Sequence, residues 1–191
     1  MPIPPFDMRG LMPAFLGSDE TTVDRSPYWT TMSELATVLG TTPHRRQLLR
    51  NLIGYRALIA TDAYQAGFQF IDGSFVENIE ATASRSPGDI DVFSILHAPA
   101  KYHGPHPSWG SSGVHFWFNE IVDRAKNKHR FSLDTYAVLF EELNPIQFIQ
   151  YVIYWYSLFS HQKVTLAWKG FAALQLDPAD DQAALAALGS S

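Results

Sequence analysis

The sequence predicts one domain of the α/β (α+β) class, with a β-sheet flanked by helices. Its 191 residues match the usual length of a single domain that buries its own core. A hydrophobic fraction of 46% is typical of a globular protein and argues against disorder. Segments with helix signals and segments with strand signals both occur, without an internal repeat or a linker. We therefore predict a single domain over residues 1–191.

Helices are predicted mainly from their start and stop signals. Residues 1–27 are rich in Pro and Gly and have no sustained period, so we expect an extended arm lying on the domain. Thr42 followed by Pro43 is a strong helix start, because the threonine oxygen caps the helix and proline fits its first position. The predicted helices are 31–39, 43–64, 117–126, 145–159 and a short fraying helix in a flexible acidic tail, 177–191.

Strands are predicted where β-branched and aromatic residues cluster between turn signals. A loop is expected over residues 97–113, which are rich in His, Pro, Gly and Ser. The predicted strands are 68–72, 89–96, 131–139 and a last strand or hairpin within 164–176.

The predicted helix 145–159 contains no charged residue. A helix that spans a membrane needs about 20 apolar residues, so this one is too short for that purpose. We predict that it is buried against the sheet. A partner-binding face is the alternative.

Charge and composition narrow the classes of function. The net charge of −5 does not predict a broad basic face, so a long nucleic acid is an unlikely partner and a small nucleotide with its metal is favoured. The chain has no cysteine, which excludes disulfides and thiolate metal sites and fits a reducing compartment. Residues 1–5 lack the basic and apolar segments of a signal peptide, so a cytoplasmic location is expected.

Two short segments carry the candidate site. Asp89 and Asp91 are two residues apart on a predicted strand, so their carboxylates share one face and repel each other. A hard divalent cation with oxygen ligands would relieve that repulsion. Gly73-Ser74 follows the preceding strand and offers backbone N–H groups to phosphate oxygens. Together they predict a nucleotide site.

These two segments resemble the nucleotidyltransferase superfamily, whose signature is a strand, Gly-Ser, a spacer and Asp-x-Asp. The resemblance sharpens to a narrower bacterial group of small nucleotidyltransferase-like proteins catalogued as a domain of unknown function. It covers nearly the whole chain to about Leu176. The segments that carry it are Ile3–Asp7, Asp72–Glu77, Gly88–Val92, Trp155–His161 and Trp168–Gly170.

The resemblance implies a nucleotidyltransferase-like mixed sheet and transfer of NMP from an NTP to a hydroxyl acceptor, with Mg²⁺ (or Mn²⁺) as cofactor. The superfamily uses a third carboxylate on a neighbouring strand, which points to Asp134 as catalytic residue and metal ligand beside Asp89 and Asp91. The alternative for Asp134 is a solvated aspartate on an edge strand. Gly73, Ser74 and Lys169 are the expected nucleotide-binding residues.

Arginines and histidines give weaker signals. Arg45 and Arg56 lie near the apolar stripe of the helix 43–64, where structural pairing, for example with Asp72 or Glu77, is expected. For His161, either a helix-terminal position favoured by the dipole or a place beside the phosphates is open. A flexible loop is favoured over a second metal centre for the remaining cluster of His97, His103, His106 and His115.

Two functions from different classes follow. The first is the nucleotidyltransferase, whose acceptor is a protein side chain, an RNA end or a small molecule. The alternative is a catalytically silent module with the same fold, which binds a nucleotide or a partner protein in the manner of an antitoxin. A metal-dependent nuclease ranks last because no motif supports it.

Overall fold

The computed structural model describes residues 2–19, 21–103 and 108–189, and this part is built around one five-stranded mixed sheet. The strands are β1 Tyr28–Thr30, β2 Gly67–Asp72, β3 Ile90–Leu96, β4 Leu133–Leu139 and β5 Ala172–Gln175. Their order is β1-β5-β2-β3-β4, with β2 antiparallel to β5 and β3 and the other two pairs parallel. The predicted mixed sheet with flanking helices is confirmed.

Helices connect and cover the strands. Two π-helical turns, Trp109–Gly113 and Trp117–Ile121, flank the short helix Val114–Phe116. The α-helices are α1 Met32–Leu39, α2 Pro43–Ala60, α3 Ile79–Ala83, α4 Val114–Phe116, α5 Arg124–Phe131, α6 Pro145–Phe159 and α7 Pro178–Ala187.

The two faces of the sheet pack differently. Because side chains alternate along a strand, Ile71 and Val92 point to one face while Phe70 and Phe93 point to the other. The first face is covered by α1, α2 and α7 and holds the larger part of the core. Among the described helices, α6 covers the second face, through Trp155 and neighbouring residues. We call these the closed face and the α6 face.

Helix starts were predicted well where capping residues mark them. Thr31 and Thr42 each accept a hydrogen bond from the backbone of the first turn of α1 and α2, and Asn144 forms a capping box with Gln147 at the start of α6. Helix α2 ends at Ala60 rather than near Tyr64, because the chain turns over residues 61–63 and Ala63 has a positive φ.

The region around the predicted helix 117–126 is different from the prediction. The helical segment begins at Trp109 and stops at Ile121, and Asp123 then caps the separate helix α5. Residue 131 closes α5, so the strand predicted from 131 begins only at Leu133. The last strand is also shorter than the predicted 164–176, because the loop before it is closed by a bridge between His161 and Trp168.

The C-terminal segment forms the predicted helix, and that helix packs on the domain. Asp177 caps α7, and Ala184 is fully buried. Asp180 accepts hydrogen bonds from the backbone N–H groups of Met32 and Ser33 at 2.5 and 3.2 Å. Asp180, in the first turn of α7, therefore also binds the start of α1.

The uncharged helix α6 is only partly buried, contrary to the prediction that it lies buried against the sheet. Trp155 and Phe159 are its buried residues, and they pack on the aromatic residues of the α6 face. Its opposite side faces solvent with large apolar side chains.

The N-terminal residues before β1 lie on the domain, where Ile3, Leu11 and Met12 are buried. Within the described part of the chain, every helix is too short or too polar to cross a bilayer.

Candidate functional site

A row of three aspartates crosses the end of three neighbouring strands. Asp91 on β3 is in register with Asp72 on β2 and with Asp134 on β4. Residues in register on adjacent strands project from the same face, which here is the α6 face. The next row along the same face is aromatic, with Phe70, Phe93 and Tyr136 in register. The carboxylates thus begin where the apolar packing under α6 ends.

Asp89 precedes β3 and shares the face of Asp91, as the spacing predicted. Residues 89, 91 and 134 line the same cavity, together with Gly73 and Ser74. The structure therefore brings together the predicted carboxylates and the predicted phosphate turn.

Gly73 makes the close approach of the turn to Asp91 feasible. Its φ of 85° and ψ of −166° lie in a region that is essentially restricted to glycine. A Cβ at this position would collide with the Asp91 carboxylate oxygen Oδ2. Ser74 then opens a short 3-10 turn, Ser74–Val76. The glycine is thus required by the carboxylate row itself, before any phosphate is considered.

Lys169 is buried beneath this turn and is held by protein groups. Its ammonium lies 2.8 Å from Asp72 Oδ1 and 3.1 Å from Glu77 Oε1, and it donates to the carbonyl oxygen of Gly73 at 3.2 Å. The side chain is 2% exposed. Lys169 also lines the cavity, although these acceptors engage its ammonium within the protein, so its contact with a nucleotide stays a prediction.

Burial and crowding raise the pKa values of the central carboxyls. Burial raises the pKa of Asp72 to about 7, although Lys169 offsets part of the effect. Burial, followed by the charges of Asp89 and Asp134, raises the pKa of Asp91 to about 6. Burial alone would lower the pKa of Lys169, but Asp72 and Glu77 raise it above its ordinary value. Asp72 shares its ammonium partner with Glu77, and among the described residues no cation forms an ion pair with Asp91.

Helix α5 supplies two cations to the outer carboxylates. Arg124 forms a bidentate pair with Asp134, at 2.7 and 2.9 Å, and stacks over the ring of Tyr136. Lys128 pairs with Asp89. The hydrogen bond to each carboxylate raises the pKa of its cationic partner. Both cations are more than half exposed, so their side chains have room to leave.

The cavity has a volume of about 620 Å³, with an acidic floor and a wall formed by α6 and the loop after it. His161 lines it, with Nδ1 2.8 Å from the carbonyl oxygen of Ser157. Four cationic side chains also line it: Arg85, Lys128, Lys163 and Lys169. Its apolar lining comprises Tyr136, Trp155, Leu158, Phe159, Val164 and Leu166.

Arg45 and Arg56 have structural partners, as expected, although the partners differ from those suggested. Arg45 binds Glu80 and the carbonyl oxygens of residues 75 and 77. Arg56 binds Asp181, with further hydrogen bonds to residues 69 and 175. Asp72 and Glu77 are instead taken by Lys169.

The histidines near the central loop are separate from this cavity. His97 pairs with Glu141 at 2.7 Å, and His103 contacts the carbonyl oxygen of Ala98 at 2.8 Å. His106 lies outside the described residues. In residues 2–19, 21–103 and 108–189, no group of three His, Asp or Glu side chains is arranged to hold a metal ion.

Sequence reasoning missed several residues of the site. Asp72 was seen only as part of a motif, yet its place before Gly73 puts it in register with Asp91. Arg124 and Lys128 belong to the basic run 124–130, which was not singled out and which lies next to β4. Tyr136, two residues after Asp134, shares its face, and this spacing was available in the sequence.

The fold and the cavity define an α+β protein with an acidic site at the end of three neighbouring strands. A model of a family of unknown function (DUF6932) matches residues 4–175, so the chain belongs to that family. The expected membership of a domain-of-unknown-function family is thereby confirmed. Searches of curated proteins and of solved structures gave no significant match.

Proposed function

We propose that the protein is a divalent-metal-dependent nucleotidyltransferase that transfers NMP from an NTP to a hydroxyl acceptor. The observation that carries the proposal is the row Asp72, Asp91 and Asp134 beside the Gly73-Ser74 turn, in a cavity of about 620 Å³. A volume of this size is in the range of small-molecule sites. A phosphate turn next to a row of carboxylates is the chemistry that a metal-bound triphosphate requires.

The donor set fits a hard cation by its chemistry, although in the described residues the three carboxylates are not gathered around one point and would have to move together. Asp89, Asp91 and Asp134 would hold it, because carboxylate oxygens are the preferred ligands of Mg²⁺. Burial, followed by the charges of Asp89 and Asp134, raises the pKa of Asp91, and a bound cation would offset the repulsion between these carboxylates. When bound, the ion would neutralise charge on the phosphates and lower the pKa of a coordinated hydroxyl. Before they bind the ion, Asp89 and Asp134 would have to release Lys128 and Arg124, their partners on α5.

The reaction assigns a distinct task to each protein group. The acceptor oxygen forms a bond to the α-phosphorus, the bond to the bridging oxygen breaks, and pyrophosphate leaves. Asp134 is the candidate acceptor for the hydroxyl proton, because it lies on the edge strand and lines the cavity. Ser74 and the backbone of its turn are the candidate contacts for the phosphates. Lys169 would contribute by holding Asp72 and the carbonyl oxygen of Gly73 in position beneath the turn.

A catalytically silent nucleotide-binding or antitoxin-like module is the second candidate. It is favoured by the pairing of Asp134 with Arg124 and of Asp89 with Lys128, since protein cations already neutralise two of the three proposed ligands. In this version the cavity binds a nucleotide, or the chain binds a partner protein, without turnover.

The test uses NTPs labelled at the α-phosphate with Mg²⁺ or Mn²⁺, in the presence of cell lysate and of purified chain alone. We expect transfer of label by the wild-type chain and none by Asp91→Asn. Asp24→Asn is the matched control, because it makes the same chemical change at an exposed aspartate that does not line the cavity.

Thermal melts with Mg²⁺ and NTP separate the two candidates. Stabilisation of the wild type by NTP without any labelled product supports the silent module. Absence of both labelled product and stabilisation, or equal labelling by Asp91→Asn and Asp24→Asn, overturns the nucleotidyltransferase.

A further inference from the structure

The four cationic side chains that line the cavity fall into two pairs. Lys169 and Lys128 are each held by carboxylates of the protein, so their charges are already compensated. Arg85 and Lys163 form no ion pair among the described residues. Arg85 donates a hydrogen bond of 3.1 Å to the carbonyl oxygen of its neighbour Ser86, which leaves its charge without an acidic partner there. We call Arg85 and Lys163 the unpaired cations.

The loop that carries Lys163 has a defined structure. Gln162 Oε1 accepts hydrogen bonds from the backbone N–H groups of Val164 and Thr165, at 2.9 and 2.7 Å. A backbone hydrogen bond of 2.9 Å from Gln162 to the carbonyl oxygen of Ala167 closes the loop. The backbone of Lys163 is therefore held beside the cavity, while its exposed side chain can reach a ligand in it.

Arg85 approaches the cavity from another part of the chain. It lies in the segment between α3 and β3, where Ser84 ends the helix in a left-handed conformation with a φ of 51°. The same segment is tied to α2, because His44 Nε2 lies 2.7 Å from the carbonyl oxygen of Pro87. Two separate loops thus each bring one positive charge to the same cavity.

Positive and negative charges lie at different depths of the cavity. The carboxylates of the floor are buried or half-buried, whereas both unpaired cations are exposed. The unpaired cations therefore lie toward the mouth, outside the carboxylates. A ligand that complements this order has a cation at its inner end and negative charge at its outer end. A divalent cation that carries a chain of phosphates has this order of charge.

We propose that Arg85 and Lys163 bind the polyphosphate tail of the NTP. The inference rests on the proposed function, which supplies the metal-bound triphosphate, and it adds two residues that recognise the length of the phosphate chain. A guanidinium and an ammonium each offer several donors to phosphate oxygens, and such charge-assisted hydrogen bonds are stronger than neutral ones. Because both cations lie toward the mouth, affinity should rise with the number of phosphates.

Calorimetric titration of the full chain with inorganic tripolyphosphate, in the presence of Mn²⁺, tests the inference without a choice of base. We expect Arg85→Met and Lys163→Met each to weaken tripolyphosphate binding about tenfold. Arg85→Lys and Lys163→Arg keep the charge and should retain most of the affinity. Binding of Mn²⁺ alone should not weaken. Binding of inorganic phosphate should change much less, because a single phosphate beside the metal does not extend to the mouth.

Arg46→Met and Lys126→Met are the matched controls. Each variant removes the same kind of side chain as a test variant, and neither residue lines the cavity. Arg46 resembles Arg85 in donating to a backbone carbonyl oxygen, that of Gly40. Both controls should bind tripolyphosphate like the wild type. A loss of affinity equal to that of the test variants would show a general effect of net charge and would overturn the inference.

The remaining outcomes separate the inference from the proposed function. If the wild type binds Mn²⁺ and an NTP, and the Arg85 and Lys163 variants bind tripolyphosphate as it does, the inference is overturned while the proposed function stands. Equal losses for tripolyphosphate and for inorganic phosphate also overturn it, because a single phosphate group then accounts for the contact. A wild type that binds neither an NTP nor tripolyphosphate overturns both.

Discussion

The closed face and the α6 face of the sheet treat buried charge in opposite ways. On the closed face, Arg56 is almost fully buried and binds the carboxylate of Asp181, a side-chain amide and a backbone carbonyl, so its charge is fully compensated. On the α6 face, no cation among the described residues forms an ion pair with Asp91, and the pKa of Asp91 rises to about 6 because of burial and its acidic neighbours. Uncompensated charge of this kind concentrates at functional sites. The contrast separates a compensated structural ion pair on the closed face from the candidate site on the α6 face.

The largest effect on stability is expected from a substitution that removes the buried Arg56–Asp181 ion pair on the closed face. Arg56→Met leaves Asp181 without its cation in a mostly buried position, which we expect to lower the free energy of unfolding by about 3–5 kcal/mol. Urea denaturation gives the value. Arg9→Met is the control, because its pair with Asp7 is largely exposed and should contribute less than about 1 kcal/mol. Equal, small losses for both variants would remove the distinction between the faces.

The next largest effect on stability is expected from a substitution of Gly73. Gly73→Ala forces a side chain into a backbone region that costs roughly 1–3 kcal/mol, and its Cβ would displace the Asp91 carboxylate. We expect loss of stability together with loss of both metal and NTP binding. Ser74→Ala keeps the backbone and should weaken only NTP binding. Calorimetric titration of Mn²⁺ and of NTP separates these results. Unchanged Mn²⁺ binding by Gly73→Ala would contradict the contact with Asp91.

Asp91→Asn should stabilise the metal-free chain. The carboxyl has a folded pKa of about 6 against an ordinary 3.8, so the wild type loses stability as the pH rises from about 4 through 6. The variant escapes that loss, by on the order of 2 kcal/mol above pH 6, and the gain vanishes below pH 4, where the carboxyl is protonated in both states. Urea melts across this range measure it. A gain that is independent of pH would point to packing instead of charge.

The smallest effect on stability is expected for Arg124→Ala. Its pair with Asp134 is half exposed, so the loss should be at most about 1 kcal/mol. Mn²⁺ binding should become tighter, because Asp134 no longer has to exchange a cation for the metal. Arg130→Ala is the control, since Arg130 pairs with Glu120, which does not line the cavity. Weaker Mn²⁺ binding by Arg124→Ala alone would show that Arg124 does not compete for the site.

Sequence reasoning succeeded where the signal is local. The start of α6 at Pro145 was predicted because Asn144 followed by proline is a helix start signal, and the shared face of Asp89 and Asp91 follows from strand geometry alone. Reasoning failed where distant segments decide. The segment Trp168–Gly170 gave no sign that the Lys169 ammonium pairs with residues 72 and 77, which are almost a hundred positions away in the sequence. Nor does the apolar composition of α6 reveal which of its sides the sheet covers.

The position of β5 has a consequence for synthesis on the ribosome. Strand β1 pairs only with β5 within the described sheet, although more than 140 residues separate the two. The hairpin-like unit of β2 and β3 can pair as soon as both have emerged, and β4 can join them. β1 therefore stays unpaired until β5 has been synthesised. For most of translation, the backbone N–H and C=O groups that β5 will bind are exposed on the nascent chain.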